Sequence, residues 1–273
     1  MDAHDHSLAA DLEAMMNMGS SRRRSLRWLL AGAAALPLAG CGGGSGSAGS
    51  GTATGSTGSC TVIPEETGGP YPGDGTNSNA SGIVNVLTQS AVVRSDIRSS
   101  FNGASGTAAG IPLTVKLKIV NAYASCGAAG SFAVYLWHCD REGRYSLYSQ
   151  GVTDQNYLRG VQAADADGNL TFTTIFPGCY DGRMPHIHFE VYRSLAQSSS
   201  AANRIKTSQF TFPLATMNEV YATSGYASSA SNLSRISFAT DNIFSDGYSL
   251  QLGSMTGNVT DGYIVTLVVA IAA

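Results

Sequence analysis

Lysine is nearly missing from this chain: Lys116, Lys118 and Lys206 are the whole complement in 273 residues. Charged side chains of every kind reach only 13%, and the formal net charge is -3. A surface that gathers phosphates needs a dense cationic face, so nucleic acid is excluded as a partner. The sequence also lacks an apolar run of membrane-spanning length. Its best candidate, residues 28–36, is far short of the roughly 20 residues a crossing helix needs. What is plentiful is glycine, 32 residues, set in a 43% hydrophobic background that can bury a core. Few charges and many glycines favour turns and strands over long helices with charged faces, and the expected fold class is all-β.

The amino-terminal 41 residues form an address. Ser21-Arg22-Arg23-Arg24 precedes the short apolar run and resembles a twin-arginine export signal. Leu38-Ala39-Gly40-Cys41 resembles a bacterial lipobox, which makes Cys41 the expected lipidation site and the membrane a partner only through that anchor. Residues 1–20 read as a long leader or a mis-assigned start, with Met15, Met16 or Met18 as alternatives. Residues 42–59 are almost wholly Gly, Ser, Ala and Thr, a tether composition, and the folded domain is expected over 60–273. The expected location is the bacterial cell envelope. Cys60, Cys126, Cys139 and Cys179 then remain, enough for one or two disulfides with three possible pairings.

Within 60–273, Leu113 to Ile119 alternates apolar and polar residues, the period-two mark of a strand with one face on a core. Strand-length segments follow at Phe132 to His138, Asn169 to Phe176, His186 to Tyr192, Arg204 to Phe212 and Tyr263 to Ile271. Asp167-Gly168-Asn169, Pro177-Gly178 and Asp261-Gly262 supply turn chemistry between them. No run of helical period stands out, and the pattern predicts an antiparallel β-sandwich with long functional loops.

Only His138, His186 and His188 lie in this domain. In His186-Ile187-His188 the two imidazoles fall on one face of a strand, so both can reach one ion while Ile187 packs behind. By itself this pair suits a cupin, a zinc enzyme or no metal at all. His138 reads as structural. Asp165 and Asp167 read as a turn rather than a calcium loop, and the side chains of Glu65 and Glu66 diverge on an extended chain.

Tyr145 in Gly143-Arg144-Tyr145-Ser146, Tyr180 in Pro177-Gly178-Cys179-Tyr180 and Arg183 just before the histidines change this picture. Together with His186 and His188, and with Pro64-Glu65-Glu66-Thr67-Gly68-Gly69-Pro70-Tyr71 near the start of the domain, the chain resembles the intradiol ring-cleavage dioxygenases. That resemblance implies non-haem iron(III) held by Tyr145, Tyr180, His186 and His188. It also implies Arg183 as the cation beside an electron-rich substrate and Gln209 as its supporting glutamine. The implied partners are a small aromatic diol and dioxygen, and the implied product is a muconate-type diacid.

Elementary chemistry makes the donor set sensible. Iron(III) is a hard Lewis acid that favours anionic oxygen, which two phenolates supply while two imidazoles complete the site. The six-residue spacing from Tyr180 to His186 is shorter than in the better-known catechol dioxygenases, so the substrate stays open. A second class of function also stays open, that of a surface lipoprotein using the sandwich as a binding module. It predicts a colourless protein that takes up no iron.

Overall fold

The computed structural model describes residues 60–273, so the leader, Cys41 and the tether lie outside the described residues. Among the described residues, eleven strands form two main sheets and a hairpin. The hairpin pairs β1 (Asp74–Asn79) with β2 (Gly82–Asn85). The first sheet is built on β3 (Pro112–Asn121), with β11 (Gly262–Ile271) and then β10 (Ser254–Asn258) on one side, and β7 (Asn169–Ile175) and the short β4 (Gly127–Ala128) on the other. The second sheet runs β6 (Arg159–Ala163), β5 (Ala133–Trp137), β8 (His186–Tyr192), β9 (Arg204–Thr211).

Alternation decides what each face does. Leu113, Val115, Leu117 and Ile119 of β3 and Val265, Leu267 and Val269 of β11 pack against Ile187, Phe189 and Val191 of β8 in the main core. Ile187, Phe189 and Val191 are fully buried, each worth about 1.5–3 kcal/mol of transfer free energy. The other face of β8, bearing His186, His188, Glu190 and Tyr192, is therefore turned away from the inter-sheet core. It is covered by the amino-terminal segment, which adds to β9 through Glu66 N donating to Thr207 O (2.9 Å).

The six expected strands are present, that of β8 with identical bounds. Three features depart from expectation. The sandwich is not wholly antiparallel: β11 lies parallel to β3, Tyr263 opposite Leu113 through Ile271 opposite Asn121. Period-two alternation looks the same in either direction, so the sequence pattern does not distinguish them. Two short helices also occur, α1 (Leu214–Tyr221) and α2 (Ala227–Leu233). Each spans about two turns, too little for a periodic signal, and α2 is rich in serine, a poor helix former. The small strands β1, β2, β4, β6 and β10 are short, and several are largely exposed, so they carry no clean alternation.

Among the described residues one bridge is formed, Cys60–Cys126, which ties the start of the domain to the turn after β3 and selects among the possible pairings. Cys139 and Cys179 are buried free thiols. Asp165 does close a turn, accepting from Asp167 N (2.9 Å) and Asn169 N (2.8 Å). Glu65 pairs with Lys206 (2.9 Å) whereas Glu66 accepts from Gln251 Nε2 (3.3 Å), so the two carboxylates part as expected.

Candidate active site

His186 and His188 sit side by side on the outer face of β8, where His188 is opposite Trp137 of β5 and Gln209 of β9. The Trp137 and His188 rings are stacked, centroids 5.0 Å apart and 4° from parallel, and Tyr135 stacks on Trp137 in turn. This wall fixes the His188 ring. His186 is fixed by a hydrogen bond: Nδ1 donates to Met184 O at 2.6 Å, which selects the tautomer with a bare lone pair on Nε2.

That nitrogen is the centre of the site. His186 Nε2 stands 3.0 Å from His188 Nε2, 3.3 Å from Tyr180 Oη and 3.5 Å from Tyr145 Oη. Two loops deliver the tyrosines. Asp140 shapes the first, its Oδ1 accepting from Glu142 N (3.0 Å) and Arg144 N (2.9 Å). The second is joined to it by Gly178 N donating to Asp140 O (3.0 Å). Glycine is needed where they touch: a Cβ on Gly178 would stand 2.6 Å from Arg141 O, and one on Gly143 (φ +86°) 3.0 Å from Tyr180 Cβ. Helix α2 supports the Tyr180 loop, with Ser229 Oγ accepting from Cys179 N (2.9 Å) and Asn232 Nδ2 donating to Cys179 O (2.8 Å). The helix that the sequence did not signal thus holds one of the candidate ligands in place.

Arg183 and Gln209 are joined to each other and to the segment lying over the site. Arg183 Nη2 donates to Gln209 Oε1 (2.7 Å), and Gln209 Nε2 donates to Thr67 O (2.9 Å). Two residues further on, Gly69 (φ +69°) passes so close that a Cβ there would stand 3.4 Å from His188 Cε1. Arg183 is itself buried, and Asp241 Oδ2 accepts from its Nε at 2.9 Å. Nothing in the sequence pointed to Asp241. His138, by contrast, spends both ring nitrogens on Cys139 O (2.8 Å) and Thr174 Oγ1 (2.7 Å), which leaves it structural.

Burial dominates the electrostatics. It pushes the Tyr145 phenol well above its ordinary range, with neighbouring Tyr180 adding to the rise. His186 is held well below the usual imidazole range by burial and then by the Arg183 charge, and His188 by burial and then by His186. Both imidazoles are therefore neutral near pH 7 and available as ligands. Burial opposes the charge on Arg183, but Tyr180, Asp241 and Tyr145 more than offset it and its pKa is raised.

The four donors fit a metal ion. Two imidazole lone pairs facing each other at 3.0 Å repel unless a cation or proton lies between them. Atoms spaced 3.0–3.5 Å apart are also at the edge lengths of a coordination polyhedron with bonds of about 2.0–2.2 Å. Among the described residues no trio of His, Cys, Asp or Glu is gathered for a metal, so the phenol oxygens are what complete this set.

The Dioxygenase family model matches residues 88–200, a stretch that contains Tyr145, Tyr180, Arg183, His186 and His188. An intradiol ring-cleavage dioxygenase from Tetranychus urticae is similar in structure, at 25% identity and a TM-score of 0.61, over 78% of this chain and 95% of that one. The fold is that of the intradiol ring-cleavage dioxygenases, and the family model that matches within it is that of the dioxygenases. A second dioxygenase structure is similar at 25% identity and a TM-score of 0.60, over the same 78% and 95%. A fainter likeness, at 14% identity and a TM-score of 0.48, is to 3-chlorocatechol 1,2-dioxygenase from Rhodococcus opacus 1CP, over 77% of this chain and 72% of that one. No curated protein matches the sequence.

Proposed function

We propose that this protein cleaves a catechol-type ring between its two hydroxyl-bearing carbons, using dioxygen and a non-haem iron(III) centre. The observation that carries this reading is the convergence of Tyr145 Oη, Tyr180 Oη and His188 Nε2 on His186 Nε2. When bound, iron(III) would take the two diol oxygens and draw electron density from the ring, opening it to attack by dioxygen. Tyr145 and Tyr180 would hold the ion as phenolates, and His186 and His188 as neutral imidazoles.

Around that centre each remaining group has a part. Tyr180, the less enclosed of the two phenols, supports the role of the ligand that gives way to substrate, its Oη receiving a diol proton. Arg183 would stabilise negative charge developing on the ring, with Gln209 holding one side of its guanidinium. Trp137 stacked on His188, with Gly68 and Gly69 over both, keeps water from that side. Both atoms of dioxygen end in the product, one carbon–carbon bond is broken, and no external reductant is required.

Oxygen uptake by iron-reconstituted protein against catechol, protocatechuate, hydroxyquinol and larger phenolics, with products weighed by mass spectrometry, tests the reading. A diacid two oxygen atoms heavier than its substrate is expected. No uptake with any substrate, or a semialdehyde product, would sink it, and a protein that stays colourless after ferric reconstitution would point to a binding module instead.

Proton linkage gives a second expectation. Tyr145 is a phenol with a raised pKa in the metal-free protein, so it must lose a proton to bind as phenolate. Iron affinity should therefore fall as pH is lowered, by about tenfold per unit for each phenol that ionises on binding. Because His186 and His188 are already neutral, they add little to this slope above pH 6. Loss of the phenolate-to-iron absorption in a descending pH titration checks it, and a pH-independent iron content between pH 5 and 8 contradicts it.

We also propose that the mature chain begins at lipid-modified Cys41 and works at the cell envelope, on the strength of Leu38-Ala39-Gly40-Cys41. Mass spectrometry on protein from the native host should find a diacylated Cys41 at the amino terminus; an unmodified Cys41 within an intact leader refutes this.

A further inference from the structure

We propose that Asp241 is a positioning residue for the reaction, setting both the direction of the Arg183 guanidinium and the peptide that fixes His186; the assignment rests on the iron-dependent reading above. Asp241 follows α2 in the chain and is fully buried. Its Oδ2 accepts from Arg183 Nε (2.9 Å) and Met184 N (2.7 Å). Its Oδ1 accepts from Ile243 N (2.8 Å) and Phe244 N (3.0 Å).

Each of these bonds bears on the site. With Nε held by Asp241 and Nη2 held by Gln209, the guanidinium can neither swing nor rotate, and Nη1 is the nitrogen left without a hydrogen-bond partner among the described residues. A planar cation pinned at two corners offers its third in a fixed direction. The same Oδ2 holds Met184 N, while Met184 O accepts from His186 Nδ1 (2.6 Å), so one carboxylate oxygen steadies the cation and the imidazole tautomer together. The bonds to Ile243 and Phe244 hold the backbone that carries the Phe244 ring, whose centroid is 6.0 Å from the guanidinium carbon.

The charge is as important as the geometry. A buried guanidinium beside a cationic metal would be expelled or left unpaired without a fixed counter-charge. Asparagine cannot replace this aspartate, because all four acceptor positions face N–H donors and an amide NH2 would have to point at two of them. Asp241 therefore does more than fill a hole in the core.

The test is a double-mutant cycle on iron-reconstituted protein, combining Asp241→Asn with Arg183→Gln and following kcat, KM and the phenolate-to-iron absorption. In the wild-type background Asp241→Asn is expected to lower kcat about a hundredfold, with KM within about threefold and the absorption retained. In the Arg183→Gln background it should lower kcat by no more than about tenfold, since the route through Arg183 is gone and only that through Met184 and His186 remains. If Asp241→Asn does not fold, Asp241→Glu, which keeps the charge but moves it by one methylene, carries the same cycle. A folded variant with kcat within about threefold of wild type, or equal losses in both backgrounds, overturns the assignment. An inactive, colourless wild type would instead sink the iron-dependent reading and this assignment with it, so the two failures are distinguishable.

Discussion

His186→Ala is expected to yield a folded, colourless protein with no measurable ring cleavage. His186 Nε2 is the atom on which Tyr145, Tyr180 and His188 converge, so its removal takes away one candidate ligand and opens the place where the others meet. Metal affinity and activity fall together in such a case, because a three-donor remnant no longer offers the coordination that holds iron(III). The fold should survive. The strand that carries His186 is held by Ile187, Phe189 and Val191 in the main core and by pairing on both edges, none of which involves the imidazole. Truncating one buried side chain should cost about 2–4 kcal/mol, an amount that lowers Tm without abolishing a sandwich of this size. Circular dichroism with iron analysis decides it: full iron content in the variant would remove His186 from the ligand set, and loss of the β-sheet signal would make its role structural.

Arg183→Ala should do the reverse, leaving iron largely in place while turnover falls by about 10²–10³. Arg183 is buried, charged and joined to Gln209 and Asp241, and its charge is felt by Tyr145, Tyr180 and both histidines without Arg183 donating to any of them. On the proposed reaction, a cation in that place would contribute where negative charge develops on the substrate and not where the metal would be bound. The variant should therefore keep its phenolate-to-iron colour and lose kcat with a smaller change in KM. Unchanged kcat would deny Arg183 a part in the reaction. The variant also leaves Asp241 as a buried carboxylate with one donor fewer, so a lower Tm accompanies the kinetic effect.

Several of these residues were readable before the fold was known, and the reasons differ. The bounds of β8 follow from alternation alone, and the same alternation places His186 and His188 on one face with Ile187 behind them. Tyr145 and Tyr180 were candidates only through the order of several separated motifs, since a single tyrosine has no periodicity to betray it. Asp241 had neither signal. It lies 58 positions from Arg183, in a stretch where an aspartate before Asn242 reads as an ordinary turn residue.

The parallel alignment of β11 on β3 and the choice of Cys60–Cys126 were likewise invisible, because pattern and count are the same for every alternative. By itself, then, the sequence determined six of the eleven described strands and the two-faced character of β8, which depend on local steric and hydrophobic preferences, and through motif order it named the candidate donors. Only the tertiary structure decided that a tyrosine 41 positions before His186 and another six before it meet at one nitrogen, and that a distant carboxylate aims the arginine beside them. Such convergence depends on how loops cross, and those crossings are set by glycines in close backbone contact, by buried hydrogen bonds and by packing between residues far apart in the chain.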